Sequence, residues 1–508
     1  MTSSNVVGLS FAEEESLKVL PATPIWRALE PNEFKDFGAE IKTVARNPIN
    51  ESRQVQKGVV TDLDASGGFM QDITPSNLTR LMQGFFFADI REKVQSDPLS
   101  AAAALKATPV SFGVGTIVLT ATHGAKFAVG NLLFVSGMAN AANNGLMKVV
   151  SIAVDTLTVS AATVTEAWPI TADLKVVGFE LADNTASVAV VTGAVEINLS
   201  SGSFLNRGLS VGEWIYVGGD AVGTRFSTNT PGYARIHSIA ASKLTLKELT
   251  WTPTTEASAA GKTIRIFAGS FLRNEKTPSL IKTKSVTLER TLGQDNDGFM
   301  SQLLRGAVAN EYTLDIKTAD KITADLSFVA MTEELRTGAD GLSAGTRITT
   351  FNSEDAFNTS SDVVQMRIYI ASPTNQKPTS LFGYAQEAKL MVKNNVKGNK
   401  AIGTLGSFDI NVGTFEVSGE LTVYFSDVTA ISAIKANSDV GFNLITAQNN
   451  AGIVYDIPLL SLSDGRADVK KDEPITLKVT KDAFENEYGF TLSQTYFHYL
   501  PTVAIPVA

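Results

Sequence analysis

The sequence predicts a mainly β fold: a duplicated β-sandwich lobe with flanking helices, plus two inserted small β-modules. Three observations predict it. Phe415, Val417, Gly419, Leu421, Val423 and Phe425 alternate with polar residues from Thr414 to Tyr424, the period of a half-buried antiparallel strand. Residues 108–268, rich in Val, Thr, Ala and Gly, contain one pattern twice. Tyr312–Ala330 echoes Ser407–Phe425, with Asp315-Ile316 falling on Asp409-Ile410.

In chain order, residues 1–24 end in Pro21 and Pro24 and read as an N-terminal arm outside the core. Residues 25–107 form the first part of the host fold. Within them, strands at Lys42–Ala45 and Gly58–Asp64 flank the polar stretch Arg46–Lys57, a long hairpin tip that reaches outward. A strand at Gly67–Ile73 leads to Thr74-Pro75, read as the cap and first position of a helix that buries Leu78, Leu81, Met82 and Phe85. Ser426-Asp427 is expected to cap a second helix carrying Val428, Ile431 and Ile434.

The inserted modules are assigned to residues 108–185 and 186–268. Residues 129–159 and 211–246 share their turns and apolar positions, with Val129-Gly130 matching Val211-Gly212, Phe134-Val135 matching Tyr216-Val217 and Ser151-Ile152-Ala153 matching Ser238-Ile239-Ala240. The host fold resumes over 269–508, with its second lobe at about 363–508. Before the alternating strand, Phe408, Ile410 and Val412 alternate on even positions, so two strands are expected to meet at Gly413, where glycine permits a bend. Residues 336–362 are a long polar loop, of a kind usually tied to function or disorder.

Composition narrows the function. At 508 residues the chain holds roughly two to four domains. A net charge of -9 argues against binding polyanions, since such affinity rests on Lys and Arg neutralising phosphate. With no cysteine there is no disulfide framework and no thiolate metal site. The N-terminus lacks the pattern of a secretory signal, and no apolar run reaches the roughly 20 residues that span a bilayer, so a soluble cytoplasmic product without membrane contact is expected.

Chemistry is sparse, and no enzyme, cofactor or metal site is expected. His123, His237 and His498 have no metal-ligand spacing and read as structural. Ala260-Gly261-Lys262-Thr263 resembles the end of a phosphate-binding loop, but Glu256 stands where its first glycine belongs. Gly341-Leu342-Ser343-Ala344-Gly345 spells a nucleophile elbow, yet it lacks the strand before it and the helix after it that expose the serine, so it reads as a loop. The acidic groups Glu13-Glu14-Glu15, Glu333-Glu334 and Glu354-Asp355 read as solvated charge.

The Thr-Pro-capped helix, the VTLER strand Val286–Arg290, the LMVKNN strand Leu390–Asn395 and the unit DINVGTFEVSGELTVYFSD at Asp409–Asp427 together, in this order, resemble the tail tube (major tail) proteins of long-tailed, siphovirus-type bacteriophages. The resemblance covers most of residues 25–500 apart from the insert. It implies a structural virion protein, assembled in the host cytoplasm, whose copies form rings stacked into a hollow tube. Phage DNA passes through its lumen without specific binding. A duplicated lobe allows a trimer with six lobes, and otherwise a hexamer. Tape measure, tail terminator and tail tip proteins follow as partners from the resemblance. Inter-ring contacts are expected from the N-terminal arm, from Arg46, Asn47, Asn50, Glu51, Arg53 and Lys57 on the hairpin tip, and from Arg336 and Asp340 on the long loop. Asp409, Glu416 and Glu420 are candidate lumen acids, which would repel phosphate. The inserted modules are expected on the tube exterior.

The alternative is a multi-domain β-protein that binds carbohydrate or a cell surface through exposed aromatics at Trp214, Tyr216, Tyr233 and Trp251.

Overall fold

A computed structural model describes residues 7–46, 49, 51, 54, 56–96, 104–170, 172–226, 231–348, 354–371, 374–425 and 428–506. The chain is mainly β. The first host segment supplies β1 (Gly8–Glu13), β2 (Ile25–Leu29), β3 (Pro31–Arg46), β4 (Gln56–Asp72) and helix α1 (Thr79–Phe86). The insert follows with β5 (Pro109–Gly113), β6 (Thr116–Leu119), β7 (Asn131–Ser136), β8 (Gly145–Ala153), β9 (Thr156–Val159), β10 (Glu166–Ala167), β11 (Asp173–Glu180), β12 (Ala186–Val191), β13 (Ala194–Leu199), β14 (Trp214–Val217), β15 (Gly232–Ile239), β16 (Lys243–Lys247) and β17 (Arg265–Ala268). The host resumes with β18 (Ser270–Arg273), β19 (Ser285–Asp295), β20 (Gly298–Lys317), β21 (Thr323–Ala330), β22 (Thr332–Arg336), β23 (Thr346–Ile348), β24 (Val363–Ile370), β25 (Ala385–Lys393), β26 (Lys397–Asn399), β27 (Asp409–Asn411) and β28 (Glu416–Tyr424). Helix α2 (Thr429–Lys435), β29 (Val440–Gln448), β30 (Ala451–Asp468), β31 (Thr476–Ala483) and β32 (Ser493–Phe497) complete it.

The host strands form two layers over one core. One layer runs β3-β4-β21-β20-β25-β28-β31-β30 by pairing. The long strands β20 and β30 also reach into the other layer, where β20 joins β19 and β30 joins β29 and β32. Between the layers lie Phe69, Phe85, Tyr312, Phe328, Leu390, Leu421, Phe442 and Tyr455. Met366 and Ile368 of β24 face Leu421 and Val423 of β28 across that core. The alternation read from Val417 to Val423 is thus the inward face of β28, which has a partner on each side.

The lobe is duplicated. Five pairings recur in order: β1-β19 as β24-β29, β3-β4 as β25-β28, β19-β20 as β29-β30, β20-β21 as β30-β31, and β4-β21 as β28-β31. Helix α1 follows β4 as α2 follows β28. This corrects the expected echo, because β28 corresponds to β4 and not to β21. All half-buried strands share a period of two, so alternation alone does not choose among them. The strand meeting at Gly413 is corrected too: β27 pairs with β26 in a separate two-stranded ribbon, not with the layer that holds β28.

The insert is one 13-stranded sheet, in the order β10-β5-β6-β9-β8-β7-β11-β17-β14-β15-β16-β13-β12. The order mirrors itself about the β11-β17 pair. β7, β8 and β9 answer to β14, β15 and β16, and the register shift at Val149/Ser151 returns at Ile236/Ser238. Each half has its own core, one around Phe112, Leu133 and Leu174 and the other around Ile215, Ile236 and Ile266.

The N-terminal segment is not an arm throughout. Gly8–Glu13 pairs with β19 and β2, and its Leu9 and Phe11 are buried in the host core. Helix α1 buries Leu81, Met82 and Phe85 as their spacing predicts, and Leu78, at its N-cap, is buried too. It begins at Thr79, later than the predicted cap, because Thr74 instead closes a turn by accepting a hydrogen bond from the Asn77 amide at 3.3 Å. Ser426 and Asp427 lie outside the described residues.

Candidate assembly surface

The two lobes are joined inside the chain by a seam between β20 of the first and β25 of the second. Its register sets Glu311 opposite Lys393, Asp315 opposite Lys389 and Lys317 opposite Glu387. Opposite charges thus meet at each of these three positions, an arrangement that favours one register over its neighbours. Lys393 reaches Glu311 at 3.6 Å, and Lys317 also bridges to Asp315 at 2.6 Å within its own strand.

The corresponding edges at the outer ends are open. Among the described residues β3 pairs with β4 alone, and the second half of β30, from Ser461 onward, pairs with β31 alone. Each leaves a row of backbone donors and acceptors facing solvent, which in a soluble protein is a site for strand addition.

The β3-β4 hairpin extends well past the sandwich. Toward its tip Ile41, Val44, Val59 and Val60 are each more than half exposed. Val44 lies opposite Val59, so the exposed apolar groups lie close together along the ribbon. Arg46, Glu51 and Lys57 are described on this hairpin and are exposed, whereas Asn47, Asn50 and Arg53 lie outside the described residues. Of the long-loop pair, Asp340 is exposed in a short turn. Arg336 is turned back on its own lobe, at 2.8 Å from Glu334 and within hydrogen-bond distance of the Ser343 hydroxyl at 3.2 Å.

The candidate lumen acids do not form one acidic patch. Glu416 lies opposite Lys393, Glu420 lies opposite Lys389 and bridges to Lys478 at 2.9 Å, and Asp409 sits on the separate ribbon. The outward face of the β20-β25-β28-β31 layer is therefore a lattice of mixed charge. Sequence reading missed the lysines because the partner of each acid is set by strand pairing, not by nearness in sequence.

The insert covers the other side of the host. Leu132, Trp214, Tyr216, Tyr233 and Phe267 pack on Ile445 and Ala447 of β29, Val454 of β30, and Phe497 and Leu500. In β29 the alternate residues Phe442 and Leu444 point into the host core, so the insert lies on the outer surface of that layer. The charged lattice is on the outer surface of the opposite layer. Arg235 of β15 enters this junction, 3.0 Å from Asp456 of β30 and 3.3 Å from Glu248.

The binding platform of the alternative reading is absent, because Trp214, Tyr216, Tyr233 and Trp251 are all buried. Nor is the serine motif an elbow. Ser343 is buried, and its amide donates to Glu289 at 2.8 Å beside Arg347. Two of the acidic groups read as solvated charge instead organise the fold. Glu14 accepts hydrogen bonds from Ser285, Thr287 and the Gly306 amide, while Glu354 accepts from Thr74 and from both the amide and the hydroxyl of Ser76. The histidines are held individually: His123 accepts from the Thr108 amide, His237 lies 3.1 Å from the Tyr488 hydroxyl, and His498 lies 2.8 Å from the Ser270 hydroxyl. Among the described residues no cluster of His, Cys, Asp and Glu is placed to hold a metal, and no helix is long and apolar enough to cross a membrane.

No curated protein matches the chain. A family model described as phage tail tube protein does, over residues 4–212 and 191–491. The matched stretches cover both lobes and the insert, so the chain, with its duplicated sandwich and open sheet edges, belongs to the phage tail tube protein family.

Proposed function

We propose that this protein is the self-assembling structural subunit of a phage tail tube, in which copies join edge to edge into rings and rings stack into a hollow conduit for DNA. The observation that carries this is the pair of open edges at β3 and β30, which flank a chain whose two lobes are already joined through the matching internal edges. Ring closure removes the hazard of an exposed edge. Stacking is heterologous and so continues as a filament. Because each chain brings two lobes, three chains give a six-lobed ring.

The charged lattice faces the lumen in this arrangement and the insert lies outside, since the two occupy opposite surfaces of the sandwich. A surface whose lysines are paired with carboxylates offers DNA few uncompensated cations, so the polyanion slides without adhering. The exposed apolar flank of the β3-β4 hairpin and the turn at Asp340 brace the neighbouring ring. The protein assembles in the host cytoplasm, becomes part of the virion of a long-tailed phage, and meets tape measure, terminator and tip proteins at the ends of the tube.

Negative-stain microscopy and sedimentation of the purified chain test the proposal. Annuli or rods of constant bore are expected. A compact particle that does not associate at high concentration, and a virion tail that lacks the chain, would end it. Excising residues 108–268 should leave the bore unchanged if the insert is exterior.

A further inference from the structure

We propose that the seam between neighbouring copies repeats the seam within the chain: the second half of β30 pairs antiparallel with β3 of the next copy, with Asp468 opposite Lys35 and Lys470 opposite Glu33. The inference rests on the tube reading above and names the surface through which one copy recognises the next.

The register follows from superposing the two lobes on a bulge they share. Between β19 and β20 the pairing shifts from Val286↔Ala307 to Leu288↔Leu304, and between β29 and β30 it shifts in the same sense from Val440↔Leu460 to Phe442↔Ile457. Leu304 therefore corresponds to Ile457 and Ala307 to Leu460. Continued along the strand, Asp315 falls on Asp468 and Lys317 on Lys470.

The other edge is fixed through the strands between. Ala309 corresponds to Leu462, so its partner Phe328 corresponds to Lys481. Their next partners, Gly67 and Gly419, then coincide, glycine on glycine. One strand further, Lys35 opposite Gly68 corresponds to Lys389 opposite Glu420, and Glu33 opposite Met70 corresponds to Glu387 opposite Thr422.

Substituting these equivalents into the internal seam turns Asp315↔Lys389 into Asp468↔Lys35 and Lys317↔Glu387 into Lys470↔Glu33. All four charged residues have the same type at both seams, on two edges far apart in the sequence. Burial in the sandwich core does not require this, because all four positions on the outer edges are exposed. A shared partner geometry accounts for it, with Lys35 held by Asp325 within the lone chain. Lys470 already bridges to Asp468 at 3.2 Å, as Lys317 does to Asp315. Moreover, β30 ends at Asp468, two residues short of the position equivalent to the end of β20. A strand with no partner ends early, and docking would extend β30 through Lys470. The third charged pair does not carry over. Glu40 stands on β3 where Lys393 stands on β25, so the Glu311↔Lys393 attraction has no equivalent at the outer edges.

The natural chain has no cysteine, which makes cross-linking a direct test. In the full-length chain carrying Lys35→Cys and Asp468→Cys, oxidation of assembled tubes should link copies covalently, because directly opposed residues of antiparallel strands lie within disulfide range. A denaturing gel should then show a ladder ending at the number of chains in one ring. The control Lys35→Cys with Arg466→Cys, displaced by two residues, should give at least tenfold less product. Charge reversal offers a second route: Lys35→Glu alone should suppress assembly at least tenfold, and adding Asp468→Lys should restore it. Tubes that show no ladder, or a ladder only in the displaced control, overturn the seam and leave the tube reading standing. If the unaltered chain forms no tubes at all, the tube reading itself fails and the seam with it.

Discussion

The Arg235 guanidinium and the Asp456 carboxylate meet at 3.0 Å with both side chains buried, and they join the inserted sheet to the second lobe. Burial pushes the Asp456 carboxyl up while the adjacent guanidinium opposes that shift. Arg367, which donates to the Glu248 carbonyl, extends the junction. Replacing Arg235 with Met strands a buried carboxylate and should cost about 3–5 kcal/mol, whereas Arg235→Met with Asp456→Leu should recover most of the loss. Urea denaturation followed through the fluorescence of buried Trp214 checks both variants.

Lys481 is the counterpart in the second lobe of core residue Phe328. Its ammonium is buried over the Phe442 ring at 3.8 Å and, among the described residues, has no hydrogen-bond partner. Burial brings its pKa down to about 7. Between about pH 7 and 10.4 the unfolded chain therefore binds the proton that the folded chain gives up, so stability rises with pH across that window. Lys481→Met should stabilise the protein at pH 7 by about 3 kcal/mol and flatten that rise. Denaturation midpoints at pH 7 and pH 9.5 give the comparison, and an unchanged slope would refute it.

His498 acts in a more acidic window. Enclosed and held by Ser270, its imidazole is pushed down to about 3 by burial. Below about pH 6.5 the unfolded state takes up a proton that the folded state refuses, so this contribution is lost as the pH falls toward 3. At pH 5 the loss relative to pH 7 is about 2 kcal/mol. The same acidification should cost His498→Asn correspondingly less, as measured by thermal melts in matched buffers.

The hairpin can be tested without touching the core. Changing Ile41, Val44, Val59 and Val60 to Thr keeps the β-propensity and removes exposed apolar surface. The monomer's melting temperature should stay within a few degrees, while the yield of stacked tubes, counted in micrographs, should fall at least tenfold.

Much of the fold was legible in the sequence because period-two alternation and paired glycine turns report burial directly. The internal symmetry of the insert and the buried face of α1 came from such signals. The match of lobe to lobe was not, because Phe69, Leu326 and Leu421 all read alike in one dimension and only strand pairing separates them. The candidate assembly surface was only half legible. The polar hairpin stood out, but Lys35, Glu33, Asp468 and Lys470 are ordinary surface charges until pairing aligns them with Lys389, Glu387, Asp315 and Lys317. Trp214 and Tyr216 misled for the opposite reason, since a sequence does not say which aromatic near a turn is covered by a distant strand.

Only one of the two lobes is interrupted by the 13-stranded sheet: it enters after α1, whereas α2 runs almost directly into β29. Around a closed annulus the lobes would alternate between one bearing this outgrowth in its sequence and one without. The bore would look nearly six-fold, while the outline would repeat only every second lobe, with studs and gaps in turn. Rotational averaging at the higher order would blur the studs away, so the periphery, not the channel, is where such a particle would reveal how many polypeptides encircle it.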